Sequence, residues 1–203
     1  MRRIPLSRRS HIIGIQPLPS GSVEHESALE RDFVTLTSFV DPTVCITSQP
    51  VTIHFLEQGI RRRYTPDFLL SGAGRRIELI EIKYEADLHD HRERMRPGFA
   101  AADAWARERA GTFRVVTEFA IRGPQLVNAQ RLLPLRAAPI DSARAAEVVA
   151  AMRSQRAPTV GSVLAAVPRD SISLATLWRL IARGTVTADF SAAISFDTPI
   201  LLA

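Results

Sequence analysis

Ten consecutive residues, Arg75-Arg76-Ile77-Glu78-Leu79-Ile80-Glu81-Ile82-Lys83-Tyr84, restrict this 203-residue chain more than any other stretch. Alternate side chains on a strand share a face. Ile77, Leu79, Glu81 and Lys83 therefore point one way, and Glu78, Ile80, Ile82 and Tyr84 the other. Apolar residues on both faces mark a central strand covered on both sides. Glu81 and Lys83 then lie side by side on a largely buried face, where a charge is costly unless it is paired or used as a ligand. Two readings follow. Either the two neutralise each other or lie at the strand's wet end, or they are working groups.

The segment ahead of this strand bears on the choice. Tyr64-Thr65-Pro66-Asp67-Phe68-Leu69-Leu70 puts Asp67 at the start of a short apolar strand, and Ser71-Gly72-Ala73-Gly74 is a hairpin turn into the Arg75–Tyr84 strand. Hairpin pairing brings Asp67 close to Glu81. Two carboxylates at one spot raise each other's pKa unless a cation neutralises them. A hard, oxygen-seeking ion such as Mg²⁺, with Mn²⁺ as a substitute, suits carboxylates, water and substrate phosphate. Lys83 beside it would orient or deprotonate a water, or stabilise developing negative charge. The bland reading of Asp67 is a turn carboxylate after Pro66.

Around this hairpin the pattern is mixed α/β. Residues 1–20 hold Arg2, Arg3, Arg8 and Arg9 with no acidic residue and are expected to be a poorly ordered basic arm. Ser22 is a plausible N-cap for a helix carrying Leu29, Phe33, Leu36 and Phe39, which Asp41-Pro42 ends. Val51, Ile53 and Phe55 alternate as a strand up to the Gln58-Gly59 turn. A helix is expected over 92–110 and a strand over 113–121. Past Arg122-Gly123-Pro124 the composition shifts, with helices at 124–133, 141–153, 159–167 and 174–183. Strands at 185–189 and 193–196 follow. Two short helices followed by a hairpin resemble a winged helix, although small helical bundles give the same pattern. The expected domains are thus the arm at 1–20, a core at 21–122 and a mainly helical part at 123–203.

Lys+Arg total 26 against 21 Asp+Glu, a net charge of +5 that favours polyanionic partners. Of those 26, 25 are Arg and only Lys83 is Lys, which suggests that an ammonium does something there that a guanidinium cannot. A single cysteine, Cys45, excludes a disulfide framework. No apolar run approaches the roughly 20 residues of a membrane span. No signal-peptide pattern is apparent, so a cytoplasmic protein is expected. Arg61-Arg62-Arg63 and Arg75-Arg76 flank the hairpin, either gripping phosphates or protecting a solvated edge. His89-Asp90-His91 reads as a solvated loop rather than a ligand set. Trp105 and Trp178 read as core, and Gln49 reads either as turn chemistry or as support for the site.

Pro66-Asp67 followed by Glu81-Ile82-Lys83, on a hairpin preceded by a glutamate-bearing helix, resembles the PD-(D/E)xK nuclease superfamily. Glu26-Ser27-Ala28-Leu29-Glu30-Arg31-Asp32-Phe33, Gln49-Pro50, Arg63-Tyr64-Thr65-Pro66-Asp67-Phe68 and Glu81-Ile82-Lys83-Tyr84 occur in the order found in TnsA, the endonuclease subunit of heteromeric transposases. The resemblance covers about residues 22–122. It implies a restriction-endonuclease-like mixed-sheet core followed by a small winged-helix-like domain. It also implies Mg²⁺-dependent cleavage of double-stranded DNA at the 5′ ends of a transposon. Asp67, Glu81 and the Ile82 carbonyl would hold the metal, Lys83 would be the catalytic lysine, and Glu30 would complete the cluster. Glu26 lies four residues away on the same helical face, so either glutamate can turn to the metal. Some members carry Gln where Glu81 stands. The implied partners are an integrase-like (TnsB-like) transposase subunit and an AAA+ (TnsC-like) regulator. A stand-alone nuclease of phage processing or defence, and an inert DNA-binding adaptor, are the alternatives.

Overall fold

The computed structural model describes residues 13–18, 21–168 and 170–203. The chain divides into two compact units, one ending at Arg122 and the other running Gly123–Ala203.

In the first unit, strand β1 (Gly14–Leu18) pairs antiparallel with β2 (Gly21–His25). Helix α1 (Ala28–Val40) follows. Two expectations are corrected here. The arm expected over 1–20 lies outside the described residues except for 13–18, and within those Gly14–Leu18 is a paired strand rather than a loose tail. Ser22 does not cap the helix. It lies in β2, where Val23 and His25 alternate inward, and the cap is Ser27, whose side chain accepts from the Glu30 N–H. The helix ends at Val40 with Asp41 as C-cap, as the Asp41-Pro42 stop predicts.

A four-stranded sheet forms the centre, in the order β3 (Cys45–Ser48), β6 (Phe68–Ser71), β7 (Glu78–Ile82), β8 (Thr112–Val116). β7 pairs antiparallel with β6 and parallel with β8, so the sheet is mixed and β7 is internal to it. The two-faced apolar pattern of β7 dictates that position: Leu79, Ile80, Glu81 and Ile82 are all buried. Phe68 pairs with Ile80 and shares its face, where Phe33 of α1 stacks on Phe68 with ring centroids 5.6 Å apart. On the opposite face Leu79 packs with Ala102 and Ala106 of α2 (Glu85–Arg107), together with Ile53, Tyr64 and Trp105. That helix starts earlier than the expected residue 92. It contains Pro97 and bends at His91, so His89-Asp90-His91 is exposed helix rather than loop.

The remaining strands, β4 (Ile53–Glu57) and β5 (Ile60–Tyr64), form a hairpin of their own around Gln58-Gly59, both at positive φ. β8 stops at Val116, and the expected strand to Ile121 gives way to a short helix α3 (Glu118–Ile121).

The second unit contains α4 (Pro124–Leu132), α5 (Ser142–Arg153), α6 (Val160–Ala166), α7 (Ser171–Ala182), β9 (Val186–Ala188) and β10 (Ile200–Leu202). Asp141 caps α5, and Thr159 begins α6 through a capping box with Ser162. β9 pairs antiparallel with β10, and Thr159 bridges to Pro199 beside it. The last strand is therefore 200–202, not the expected 193–196. The intervening segment is tied down by Asn128, whose amide donates to the carbonyls of Phe190 and Ala192 and accepts from the Ile194 N–H.

Candidate active site

The register of the β6–β7 hairpin sets the site. Phe68 faces Ile80, so the residue before β6 meets the residues after Ile80. The Ile82 N–H donates to Asp67 Oδ2 at 2.7 Å. Asp67 and Glu81 thereby converge, as the hairpin pattern predicts.

Lys83 lies between them. Its Nζ is 2.6 Å from Glu81 Oε1 and 3.8 Å from Asp67 Oδ2, and it donates to the Ile82 carbonyl at 3.1 Å. One cationic atom is thus faced by two carboxylates and a backbone carbonyl. A hard divalent cation takes the same kinds of oxygen donor. The donor chemistry present therefore fits a metal of the Mg²⁺ class, with the ammonium standing in as the cation.

The electrostatics follow from burial. Glu81 is only 5% exposed. Burial pushes the Asp67 carboxyl up to about 8, and the neighbouring Glu81 and Glu30 carboxylates add to the rise against the opposing pull of Lys83. Burial acts to discharge Lys83, but Asp67, Glu81 and Glu30 together outweigh it and hold the lysine above its ordinary value. The resting lysine is therefore an ammonium.

Glu30 and Glu26 take different positions. Glu30 lies in the first turn of α1, where Ser27 Oγ donates to its Oε1 at 2.9 Å and the Glu26 N–H to its Oε2 at 2.7 Å. Its charge is nonetheless felt at both Asp67 and Lys83. Glu26 accepts from the Gln49 side-chain amide, and the Gln49 N–H donates to the Asp67 carbonyl at 2.8 Å. Gln49 adopts φ 43°, a left-handed conformation that costs energy in a non-glycine residue. It ties the α1 entrance to the strand that carries Asp67.

Sequence reasoning gave Tyr64 no role of its own. Its hydroxyl donates to Glu81 Oε2 at 2.5 Å, so both oxygens of Glu81 are engaged, one by a phenol and one by Lys83. Burial and then the Glu81 charge push the Tyr64 hydroxyl far above its usual pKa, which keeps it a donor. Its ring sits edge-on to Phe99 and Phe113, beside Gly98, where a Cβ would come within 2.9 Å of the ring. A tyrosine in an alternating strand reads as core filler, and the hairpin register alone reveals its partner. Arg122 pairs with Asp32 of α1 at 3.4 Å and donates to the Tyr84 hydroxyl at 3.3 Å.

The flanking arginines separate into different environments. Arg75 pairs with Asp41 at 2.6 Å and Glu78 at 3.1 Å, ahead of β7 and at the opposite end of that strand from Lys83. Arg62 pairs with Glu57 at 3.0 Å. Among the described residues no three His, Cys, Asp or Glu side chains form a metal cluster of their own. No helix there is long and apolar enough to cross a membrane.

No curated protein matches the chain. Residues 41–118 match the family model described as TnsA-like endonuclease N terminal. That span runs from the end of α1 through the hairpin of Asp67, Glu81 and Lys83 to the start of α3. Over residues 41–118, this chain is therefore similar to the N-terminal part of TnsA-like endonucleases.

Proposed function

We propose that the chain is a divalent-metal-dependent DNA endonuclease, the transposase subunit that cleaves the 5′ ends of a transposon. The observation that carries the reading is the convergence of Asp67, Glu81 and the Ile82 carbonyl on one cation position occupied by the chain's only lysine. Asp67, Glu81 and the Ile82 carbonyl would hold Mg²⁺, or Mn²⁺ in its place. The ion, when bound, supplies Lewis-acid charge at the scissile phosphate.

The chain's own residues do the rest. Tyr64 fixes the plane of Glu81, and the Ile82 N–H fixes one oxygen of Asp67. Lys83, held cationic by its carboxylate neighbours, orients the attacking water and offsets negative charge developing on the phosphate. Water adds to phosphorus in line as the bond from phosphorus to the 3′ oxygen breaks. The water's proton balances the leaving oxygen, giving a 5′-phosphate and a 3′-hydroxyl. Glu30 contributes its charge from the first turn of α1.

The second unit reads as a winged-helix-like module. Support comes from the order α5, the Thr159 bridge, α6, α7 and the β9–β10 hairpin. In this reading it engages partners of a transposition complex, an integrase-like subunit that cuts and joins the 3′ ends and an AAA+ regulator.

The test is cleavage of supercoiled DNA bearing transposon ends, with Mg²⁺, an integrase-like partner subunit and an AAA+ regulator. Asp67→Ala should abolish cutting. Lys83→Arg should lower single-turnover cleavage by at least about 10², because a planar guanidinium neither fits the ammonium position nor reorients as it does. Nicking that persists in both variants would overturn the site.

A further inference from the structure

The three consecutive arginines of β5 are not equivalent. In the β4–β5 register His54 faces Arg63 and Leu56 faces Arg61, while Phe55 faces Arg62 and Ile53 faces Tyr64. Strand alternation therefore sorts the hairpin into two faces. The inner face carries Ile53, which is buried, and Tyr64, whose hydroxyl reaches Glu81; both belong to the cluster under α2. Arg62 shares that face and is engaged by Glu57. The outer face carries His54, Leu56, Arg61 and Arg63, all exposed, with no acidic residue among them. Among the described residues neither Arg61 nor Arg63 has an ion-pair partner.

The outer face also leads to the site. Thr52 and Thr65 continue it at the base of the hairpin, their hydroxyls 3.0 Å apart, and Pro66-Asp67 follows directly. Arg61 and Arg63 lie two residues apart on one strand, hence about 6.6 Å along it, a separation of the order of that between consecutive phosphates on a nucleic-acid strand. Protection of a bare sheet edge needs charge but no particular face. Here the free charge is confined to one face, while the middle arginine is spent on Glu57.

We infer that the outer face of the β4–β5 hairpin is a phosphate-backbone contact, with Arg61 and Arg63 gripping successive phosphates of the duplex beside the cleavage site. Guanidinium forks match phosphate geometry, and such contacts position the duplex without reading its sequence. The inference rests on the endonuclease reading above and adds where the duplex is held.

The test is binding of a fluorescein-labelled duplex of arbitrary sequence to the full chain, by anisotropy in EDTA across a range of NaCl concentrations. Each lost phosphate contact lowers the slope of log K against log salt by about 0.9. The double variant Arg61→Gln/Arg63→Gln should therefore reduce the slope by about 2 and weaken binding at about 0.1 M NaCl at least tenfold, whatever the sequence. Arg62→Gln should leave the slope unchanged, and Arg61→Lys/Arg63→Lys should restore it. Parent-like binding by the double Gln variant overturns the hairpin contact and leaves the endonuclease reading standing. An equal loss in Arg62→Gln also overturns it, since charge alone would then matter. A parent chain that binds no duplex overturns both.

Discussion

Glu81 is a carboxylate buried at the centre of a sheet, and the way its two oxygens are satisfied explains most of the site. Lys83 takes Oε1 and Tyr64 takes Oε2. Alternation along Arg75–Tyr84 made Glu81 and Lys83 legible in the sequence, because buried charges on a two-faced apolar strand require an explanation. Tyr64 was not legible in that way, since its role depends on the β4–β5 hairpin folding back under α2. Removing only its hydroxyl separates packing from positioning. Tyr64→Phe should keep the ring contacts with Phe99 and Phe113, and its melting temperature should stay within a few degrees of the parent. Groups that orient metal ligands typically contribute about 10–100-fold to affinity or activity. Tyr64→Phe should therefore lose about that factor in Mn²⁺ affinity measured by calorimetry. A variant that melts and binds Mn²⁺ like the parent would leave Tyr64 as core filler.

At the scale of elements, the sequence was most readable where local chemistry decides the outcome. Asp141 and Thr159 cap their helices through their own side chains, and Gln58-Gly59 turns its hairpin. It misled where two local signals compete. Ser22 and Ser27 are both of a capping residue type, but Ser27 accepts from the Glu30 N–H while its hydroxyl donates to the Glu30 carboxylate, which fixes the start of α1, and Val23 and His25 alternate inward as strand. Long-range pairing decided the rest. The four residues of β3 form a strand by pairing with β6, a partner no local pattern announces. The same dependence on tertiary contact marks Gly98 in α2, where helix propensity alone would welcome alanine. A Cβ there would lie 2.9 Å from Cδ2 and 3.2 Å from Cγ of Tyr64, and a ring held between two phenylalanines has little room to yield. Gly98→Ala should therefore destabilise the chain by about 1–3 kcal/mol, the usual cost of overpacking. Denaturant unfolding gives the number. Stabilisation by Gly98→Ala would mean that the α2–Tyr64 contact is loose.

At the scale of the molecule, Asp67, the buried Glu81 and Lys83 all lie in the first unit, and each unit carries one tryptophan to report on it: Trp105 in α2 and Trp178 in α7. An acid whose folded pKa is raised binds more protons folded than unfolded, so stability falls as pH climbs from the unfolded to the folded pKa. For Asp67, pushed up by burial and Glu81 to about 8, that window runs from about 4 to about 8. The slope is at most about 1.4 kcal/mol per pH unit, and Lys83 offsets part of it. The second unit behaves differently. Its shifted carboxyls, Asp170 and Asp189, are lowered by hydrogen bonds from Ser173 and Ser191, so they contribute stability at neutral pH and lose it only in acid. In EDTA, a Trp178→Phe variant that reports through Trp105 should lose stability steadily from pH 5 to 8. A Trp105→Phe variant that reports through Trp178 should be nearly flat over the same range. Adding Asp67→Asn should flatten the first profile, because the titrating group is gone. Millimolar Mg²⁺ or Mn²⁺ should raise the Trp105 midpoint most at the alkaline end, where the carboxylates are free to bind it, and leave the Trp178 midpoint in place. Equal pH slopes at the two tryptophans, or a Trp105 slope that survives Asp67→Asn, would show that the buried carboxylate pair does not govern the stability of the first unit.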